Sequence, residues 1–447
     1  MKLYNLLNKI FGEEIDTKIR SVFFKGSVYS FLIQLFLSLV TFLTTILIAR
    51  LTGDKGLGIY TIVFTWVGLI YSTALFGLDD LLVKNTSILK ESSSVFDLFK
   101  WSYKTGTTVS LSVGFLFFII VNYSNIPGLY DYRHYYNIAI ISIPFFVIMQ
   151  INQAIVRGLG FLSHGQLPEK VFQPLFFVLS LIVFYFLTYQ LDDVDAIICR
   201  TISFIFVAFI SILIVIQKRK KLVLGPEILT NNKLWFRSCI FFTLSTLLYA
   251  LNTRVDIILL SLFEIEPESI AYYNVALKFS DLALIPYMVI CTVSAPIFST
   301  LFHQNKIAEL QKFYSKINKI STLAVVLIIV PFIIFGNWFL SWYGQNFISG
   351  YNVLVLLCIT KFIHVAVGPA NYLLNMTGKE RLLVLVLLLS IVINIILQII
   401  LIPIYKIEGS AMATLLSLLV FDFCLAIVTY YSTGISVLSL GKNKRKY

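Results

Sequence analysis

Apolar runs follow one another from Phe23 to Tyr431 with short polar breaks between them. A helix needs about twenty apolar residues to cross a hydrocarbon core, and cutting the runs at that length predicts about twelve transmembrane helices. Six fall near 26–49, 58–82, 105–123, 137–157, 171–189 and 194–216. A second six fall near 238–262, 270–299, 320–341, 350–373, 382–404 and 408–431. The pattern therefore predicts an all-α integral membrane protein.

Composition agrees with the pattern. Apolar residues make up 58% of the 447 positions and the mean hydropathy is +0.87, above the roughly 45 to 50% apolar content of chains that fold in water. The net charge of +12 does not indicate nucleic acid, because the Lys and Arg sit between the apolar runs and no stretch interleaves aromatics with a basic face. They report topology instead. With the N-terminus placed in the cytoplasm, 27 of the 35 basic residues fall on that side, whereas only Arg50, Lys55, Arg133 and Lys406 fall on the other. An even number of crossings with both termini cytoplasmic follows. The first apolar run is too long for a cleaved signal segment, and residues 3–20 are expected to lie on the membrane surface. Cys199, Cys239, Cys291, Cys358 and Cys424 all sit in apolar segments, without CxxC spacing or neighbouring His. That argues against a disulfide framework and a zinc site, and no cofactor is expected.

The most basic loop, with Lys218-Arg219-Lys220-Lys221, divides the spans evenly. It reads as a cytoplasmic linker, 217–237, between an N-terminal lobe, 1–216, and a C-terminal lobe, 238–447. Because six is even, both lobes insert the same way, related by a pseudo-two-fold axis along the membrane normal, an arrangement suited to alternating access. Pro286, inside the eighth span, is a candidate hinge because proline frees a backbone carbonyl and kinks a helix.

The candidate chemistry lies in charges placed where charge is costly. An ionised side chain near the bilayer centre costs roughly 2.5 to 3.5 kcal/mol on the insertion scale, so it faces a cavity or a partner. Arg254 and Asp256 lie in the seventh span, Lys278 and Asp281 in the eighth, Lys361 and His364 in the tenth, Asp422 in the twelfth, Arg200 in the sixth and Asp80 at the end of the second. Arg254 and Lys278 stand at equal depth on either side of one turn. They are expected to present positive charge to a single aqueous cavity, with Asp281 pairing locally and Asp256 finding a partner elsewhere. Arg offers a fork of donors and Lys a mobile point charge, a combination suited to a diphosphate. His364, Asp422 and Asp80 are candidates for a coupling ion. The structural alternative is that these charges pair between helices and fix register. The tyrosines of the loop after the third span, Tyr123, Tyr130, Tyr132, Tyr135 and Tyr136, are read as an interfacial belt.

Several motifs carry a family resemblance. Leu47-Ile48-Ala49-Arg50-Leu51-Thr52-Gly53, continuing through Gly58-Ile59-Tyr60 to Gly77-Leu78, resembles the opening of the polysaccharide transport family, the Wzx-type O-antigen flippases. Arg254-Val255-Asp256 with Tyr273-Asn274-Val275-Ala276-Leu277-Lys278, and Pro296, are similar to its seventh and eighth helices. Leu374-Asn375-Met376-Thr377-Gly378, Asn394, Ile402-Pro403 and Gly409-Ser410-Ala411 are similar to its eleventh and twelfth. The resemblance implies the multidrug/oligosaccharidyl-lipid/polysaccharide exporter (MATE-like) fold in a bacterial inner membrane. Its implied substrate is an undecaprenyl-diphosphate-linked oligosaccharide, such as an O-antigen unit of lipopolysaccharide, with Arg254, Asp256 and Lys278 lining the route. Membrane lipid and the polysaccharide polymerase machinery are the implied partners. The absence of a GxxxxGK[ST] loop makes a proton or sodium gradient the expected drive. A drug/cation antiporter of the same fold and a membrane polysaccharide polymerase or ligase are the alternatives. A positive cavity disfavours the first, and outer loops of no more than about fifteen residues disfavour the second.

Overall fold

The computed structural model describes residues 17–89, 92–219, 226 and 232–437, with 17–34, 162–163 and 219 described by backbone alone. Among these residues all regular structure is helical. The surface segment expected over 3–20 lies mostly outside the described residues, as does most of the basic linker.

Ten segments are long and apolar enough to cross a membrane. Two of them, Leu35–Leu89 with 55 residues and Glu380–Thr433 with 54, would each reach about 80 Å at 1.5 Å per residue, far beyond a core about 30 Å thick. Each turns back on itself. The first breaks at Gly53, where φ is 77° and ψ −177°, and the second at Lys406, where φ is 49° and ψ −124°. Dividing both gives twelve crossings among the described residues, and the chain is a multi-pass membrane protein.

In chain order the helices are α1 (Thr17–Ala74, broken at Gly53), α2 (Leu78–Leu89), α3 (Val95–Tyr123), α4 (Arg133–Ile140), α5 (Ser142–Gly158), α6 (Leu162–Leu167), α7 (Gln173–Thr188) and α8 (Asp193–Arg219). They continue with α9 (Asn232–Leu262), α10 (Pro267–Ala283), α11 (Ile285–His303), α12 (Ile307–Ile334), α13 (Gly336–Ser341), α14 (Tyr351–Val367), α15 (Ala370–Met376) and α16 (Glu380–Thr433, broken at Lys406). The eighth crossing is interrupted at Leu284, two residues before Pro286. The tenth ends at Val367 rather than near 373, because Gly368 takes a φ of 91° and Pro369 follows it. The ninth ends at Ile334, and residues 336–350 form a short helix and a 3-10 turn.

Lipid tails are as apolar as Leu, so helices in a membrane are held by close packing of small residues and by polar contacts. Both are visible where the halves of the chain meet, which is chiefly α1 and α2 against α9, α10 and α11. A Cβ on Gly58 would stand 1.9 Å from the Pro267 carbonyl oxygen, and one on Gly77 would stand 2.5 Å from Phe242 Cβ. No side chain fits at either crossing point. Asn274 Nδ2 donates to Thr61 Oγ1 at 2.9 Å, and Trp66 Nε1 to Ser261 Oγ at 3.0 Å.

A clasp closes the end of the bundle that carries Gly53. The Arg50 guanidinium donates to the Trp342 and Ser341 carbonyls at 2.8 and 2.9 Å. Asp54 Oδ2 accepts from Tyr272 Oη at 2.8 Å and from Asn346 Nδ2 at 3.0 Å. Of the loop tyrosines, Tyr123 is exposed, whereas Tyr136 is fully buried, with its hydroxyl on the Gly128 carbonyl at 3.2 Å.

Candidate functional site

A cavity of about 430 Å³ opens between α1, α9 and α10–α11, lined among others by Ser38, Thr41, Arg254, Asn274, Lys278 and Asp281. α9 and α10 are antiparallel neighbours joined by the short turn at 263–266, so residues equally far from that turn stand at one level. Arg254 and Lys278 are brought together in this way. Among the described residues neither has a carboxylate within ion-pair distance. Lys278 Nζ donates to Thr45 Oγ1 on the first arm of α1, while Arg254 is exposed to the cavity. The charges of Arg200 and Arg254 both act on Lys278, and that of Asp281 opposes them.

Asp281 does not pair with the lysine one turn before it. Its Oδ1 lies 2.8 Å from Lys361 Nζ on α14. The reason is direction: Lys278 leans onto Thr45, while Asp281 turns toward the helix packed beside α10. Among the described residues the site therefore has two cations without a carboxylate partner, Arg254 and Lys278, and one neutralised pair at its edge.

Asp256 turns away from the cavity. It accepts from Tyr273 Oη at 2.7 Å, from Gln398 Nε2 and from Thr414 Oγ1 at 3.2 Å. Gln398 is held in turn by Asn394 and Ser410. This node ties α9 to α10 and to both arms of α16.

His364, one turn beyond Lys361, has Nδ1 2.9 Å from Asp422 Oδ1. Arg200 sits apart in an aromatic cage. Its guanidinium carbon is 4.5 Å from the Phe64 ring centroid and 5.5 to 5.7 Å from those of Tyr60, Phe177 and Phe204. The guanidinium donates to Tyr60 Oη, and cation–π attraction takes the place of a carboxylate. Asp80 is exposed in the first turn of α2, remote from the cavity lining. Among the described residues no three His, Cys, Asp or Glu side chains converge as a metal site.

Ser38, Thr41 and Thr45 were not singled out from the sequence. The available signal was their i, i+3, i+7 spacing in a largely apolar helix, which puts three hydroxyls on one face. Asn394 and Gln398, and Ser410 and Thr414, each at i, i+4, carried a comparable signal for the partners of Asp256.

Residues 23–302 match the polysaccharide biosynthesis protein family. The chain belongs to that family. No curated protein sequence matches it significantly, but the fold of the chain is matched among solved structures. An inward-facing multidrug resistance MATE family transporter of the MOP superfamily superposes with a TM-score of 0.73 at 12% identity, covering 89% of this chain and 94% of its own. The lipid II flippase MurJ, in an inward closed conformation, gives 0.71 at 15% identity over 90% and 87%. The MATE multidrug transporter DinF-BH gives 0.65 at 17% over 94% and 97%. This polysaccharide biosynthesis family member therefore has the exporter-superfamily fold.

Proposed function

We propose that this protein is a flippase, moving undecaprenyl-diphosphate-linked oligosaccharide units, of an O-antigen or similar surface polysaccharide, across a bacterial inner membrane. The observation that carries the reading is the continuity of two unlike spaces. The cavity bearing Arg254 and Lys278, which have no carboxylate partner among the described residues, shares Leu282, Ile285 and Val289 with an apolar groove of about 500 Å³, completed by Leu35, Pro286, Ile290 and Ile328. A cationic chamber beside an apolar slot fits a molecule with a diphosphate head and a hydrocarbon tail. On the opposite wall Ser38 and Thr41 add polar atoms to the lining, and the Thr41 hydroxyl, which donates to the Leu37 carbonyl, keeps its oxygen as an acceptor for a sugar hydroxyl. Neither space suits a cationic drug, which Arg254 and Lys278 would repel.

In this reading the basic end of the bundle faces the cytoplasm, and two six-helix lobes rock about the contact of α1 and α2 with α9, α10 and α11. Arg254 and Lys278 hold the diphosphate, Lys361 and Asp281 adjust the charge at the rim, and Arg200 extends the positive field from the N-terminal half. Asp256 positions α9. Polymerase machinery would take the product at the outer face.

The test is translocation of a fluorescent undecaprenyl-diphosphate oligosaccharide in proteoliposomes, alongside the fate of lipid-linked units in cells lacking the gene. Arg254→Ala and Lys278→Ala are expected to abolish translocation, and the deletion to trap units on the inner leaflet. Full translocation by both variants would remove the cationic cavity from the mechanism. Unpolymerised units reaching the outer face of deletion cells would favour a polymerase instead.

A further inference from the structure

The mechanism above leaves one buried ionisable pair without a task. Asp422, on the second arm of α16, has a side chain only 2% exposed. One carboxylate oxygen meets His364 Nδ1 at 2.9 Å, and the other, Oδ2, has no hydrogen-bond partner among the described residues. The surroundings are aromatic: the Tyr287 ring stands edge-on to the imidazole at 5.8 Å, and Phe421 lies at 6.3 Å. The titratable groups facing the pair are Tyr287 from α11, against the imidazole, and Tyr314 from α12, against the carboxylate, with Cys291 of α11 and Tyr372 of α15 lying behind Tyr287. On α14 itself the nearest is Lys361, already neutralised by Asp281 of α10. Among the described residues no fixed cation balances Asp422. If His364 is neutral, the pair carries a net negative charge in an apolar interior, which is costly. One added proton, on His364 Nε2 or on Asp422 Oδ2, makes the pair neutral overall.

A second observation shows what such a proton could move. Three residues after His364 the helix ends at Val367, and the carbonyls of Ala366, Val367 and Gly368 accept from side chains, the last also from the Ala370 amide at 2.8 Å. Asn318 Nδ2 donates to the first at 2.9 Å, Tyr314 Oη to the second at 2.9 Å and Tyr287 Oη to the third at 3.2 Å. Three side-chain donors fix a break three residues beyond a pair that a single proton would neutralise.

We infer that His364 and Asp422 form a proton-binding site whose occupancy sets the geometry of the α14–α15 break. The site lies one turn from the Lys361–Asp281 pair at the rim of the cationic cavity, so the proton and the transported anion bias the same helix. Its use as a coupling site rests on the transporter reading given above, whereas the proton-dependent break does not.

The test uses the full chain in lipid nanodiscs without substrate, titrated between about pH 5 and 8, the range in which histidine ordinarily changes charge. The chain has four histidines, so ¹⁵N-histidine NMR can follow His364 individually. Spin labels at Ile359 and Met376, both exposed and on opposite sides of the break, report its geometry. The expected result is a label distance that changes with the same midpoint as the His364 resonance, with the change lost in His364→Gln and in Asp422→Asn and retained in Arg254→Ala. A distance that responds to pH equally in both pair variants overturns the inference. So does wild-type His364 holding one charge state throughout while the distance stays constant, and that measurement needs no variant to fold. Full diphosphate-lipid translocation by Arg254→Ala with the pH response intact would end the cationic-cavity reading and leave the proton site standing, whereas loss of the pH response as defined above would end the proton site alone.

Discussion

The Lys361 ammonium and the Asp281 carboxylate meet at 2.8 Å across α14 and α10, at the rim of a cavity whose other two cations, Arg254 and Lys278, have no carboxylate partner among the described residues. Asp281 is the more accessible partner, its side chain 54% exposed against 18% for Lys361. An incoming diphosphate would meet this carboxylate as a competitor for the lysine.

Asp281→Asn should therefore tighten binding of a polyprenyl diphosphate. A partly exposed ion pair is worth about 1 kcal/mol or less, so the gain expected is up to about fivefold in Kd. Lys361→Ala should weaken binding by at least as much, because it leaves Asp281 unneutralised beside the cavity. Equilibrium binding of a fluorescent polyprenyl diphosphate in detergent measures both, and unchanged affinity in the pair of variants would place Asp281 outside the site.

Asp256→Ala removes the acceptor shared by Tyr273, Gln398 and Thr414. Leaving buried donors unmatched costs about 1 to 3 kcal/mol, which should appear as a lower midpoint in thermal unfolding of the solubilised protein. Asp256→Asn, which keeps one acceptor oxygen, should lose less.

Gly58 crosses the Pro267 carbonyl so closely that a methyl group cannot be added without backbone movement. Gly58→Ala should part α1 from α10 at the Gly53 end. The measurement is amide hydrogen exchange of residues 267–274, expected to rise in the variant while residues 239–243, at the far end of the bundle, stay protected.

Asp54 lies in the turn near 50–57, outside the apolar spans. Burial alone would raise its carboxyl, but the hydrogen bonds from Asn346, Tyr272 and the Lys55 amide outweigh burial and hold it below the ordinary value of 3.8. A carboxyl lowered by folding contributes stability above its unfolded value and loses it as the pH falls through its folded one. The clasp should thus remain unchanged from neutral pH down to about pH 4 and open only on further acidification. Hydrogen exchange over 341–346 follows this directly, and Asp54→Asn should show raised exchange already at neutral pH.

Crossing number and fold class were legible from the chain because they depend on one-dimensional quantities, apolar run length and the spacing of breaks. Gly53 illustrates this: a glycine between two long apolar runs turns the chain wherever the rest of the protein lies. The levels of Arg254 and Lys278 were readable for the same reason, since both are counted from one turn along antiparallel neighbours. Partner choice was not. Whether Asp281 takes Lys278, one turn away, or Lys361, far along the chain, depends on which helix packs beside α10. Likewise Asp256 finds Gln398 and Thr414, and Asp422 finds His364, only after α16 has docked. Apolar patterning places a helix in the bilayer but says little about its rotation toward a neighbour, because lipid and protein interior are nearly equivalent to a leucine. Rotation is decided by small-residue contacts such as Gly58 on Pro267 and by polar pairs, which exist only between helices already brought together.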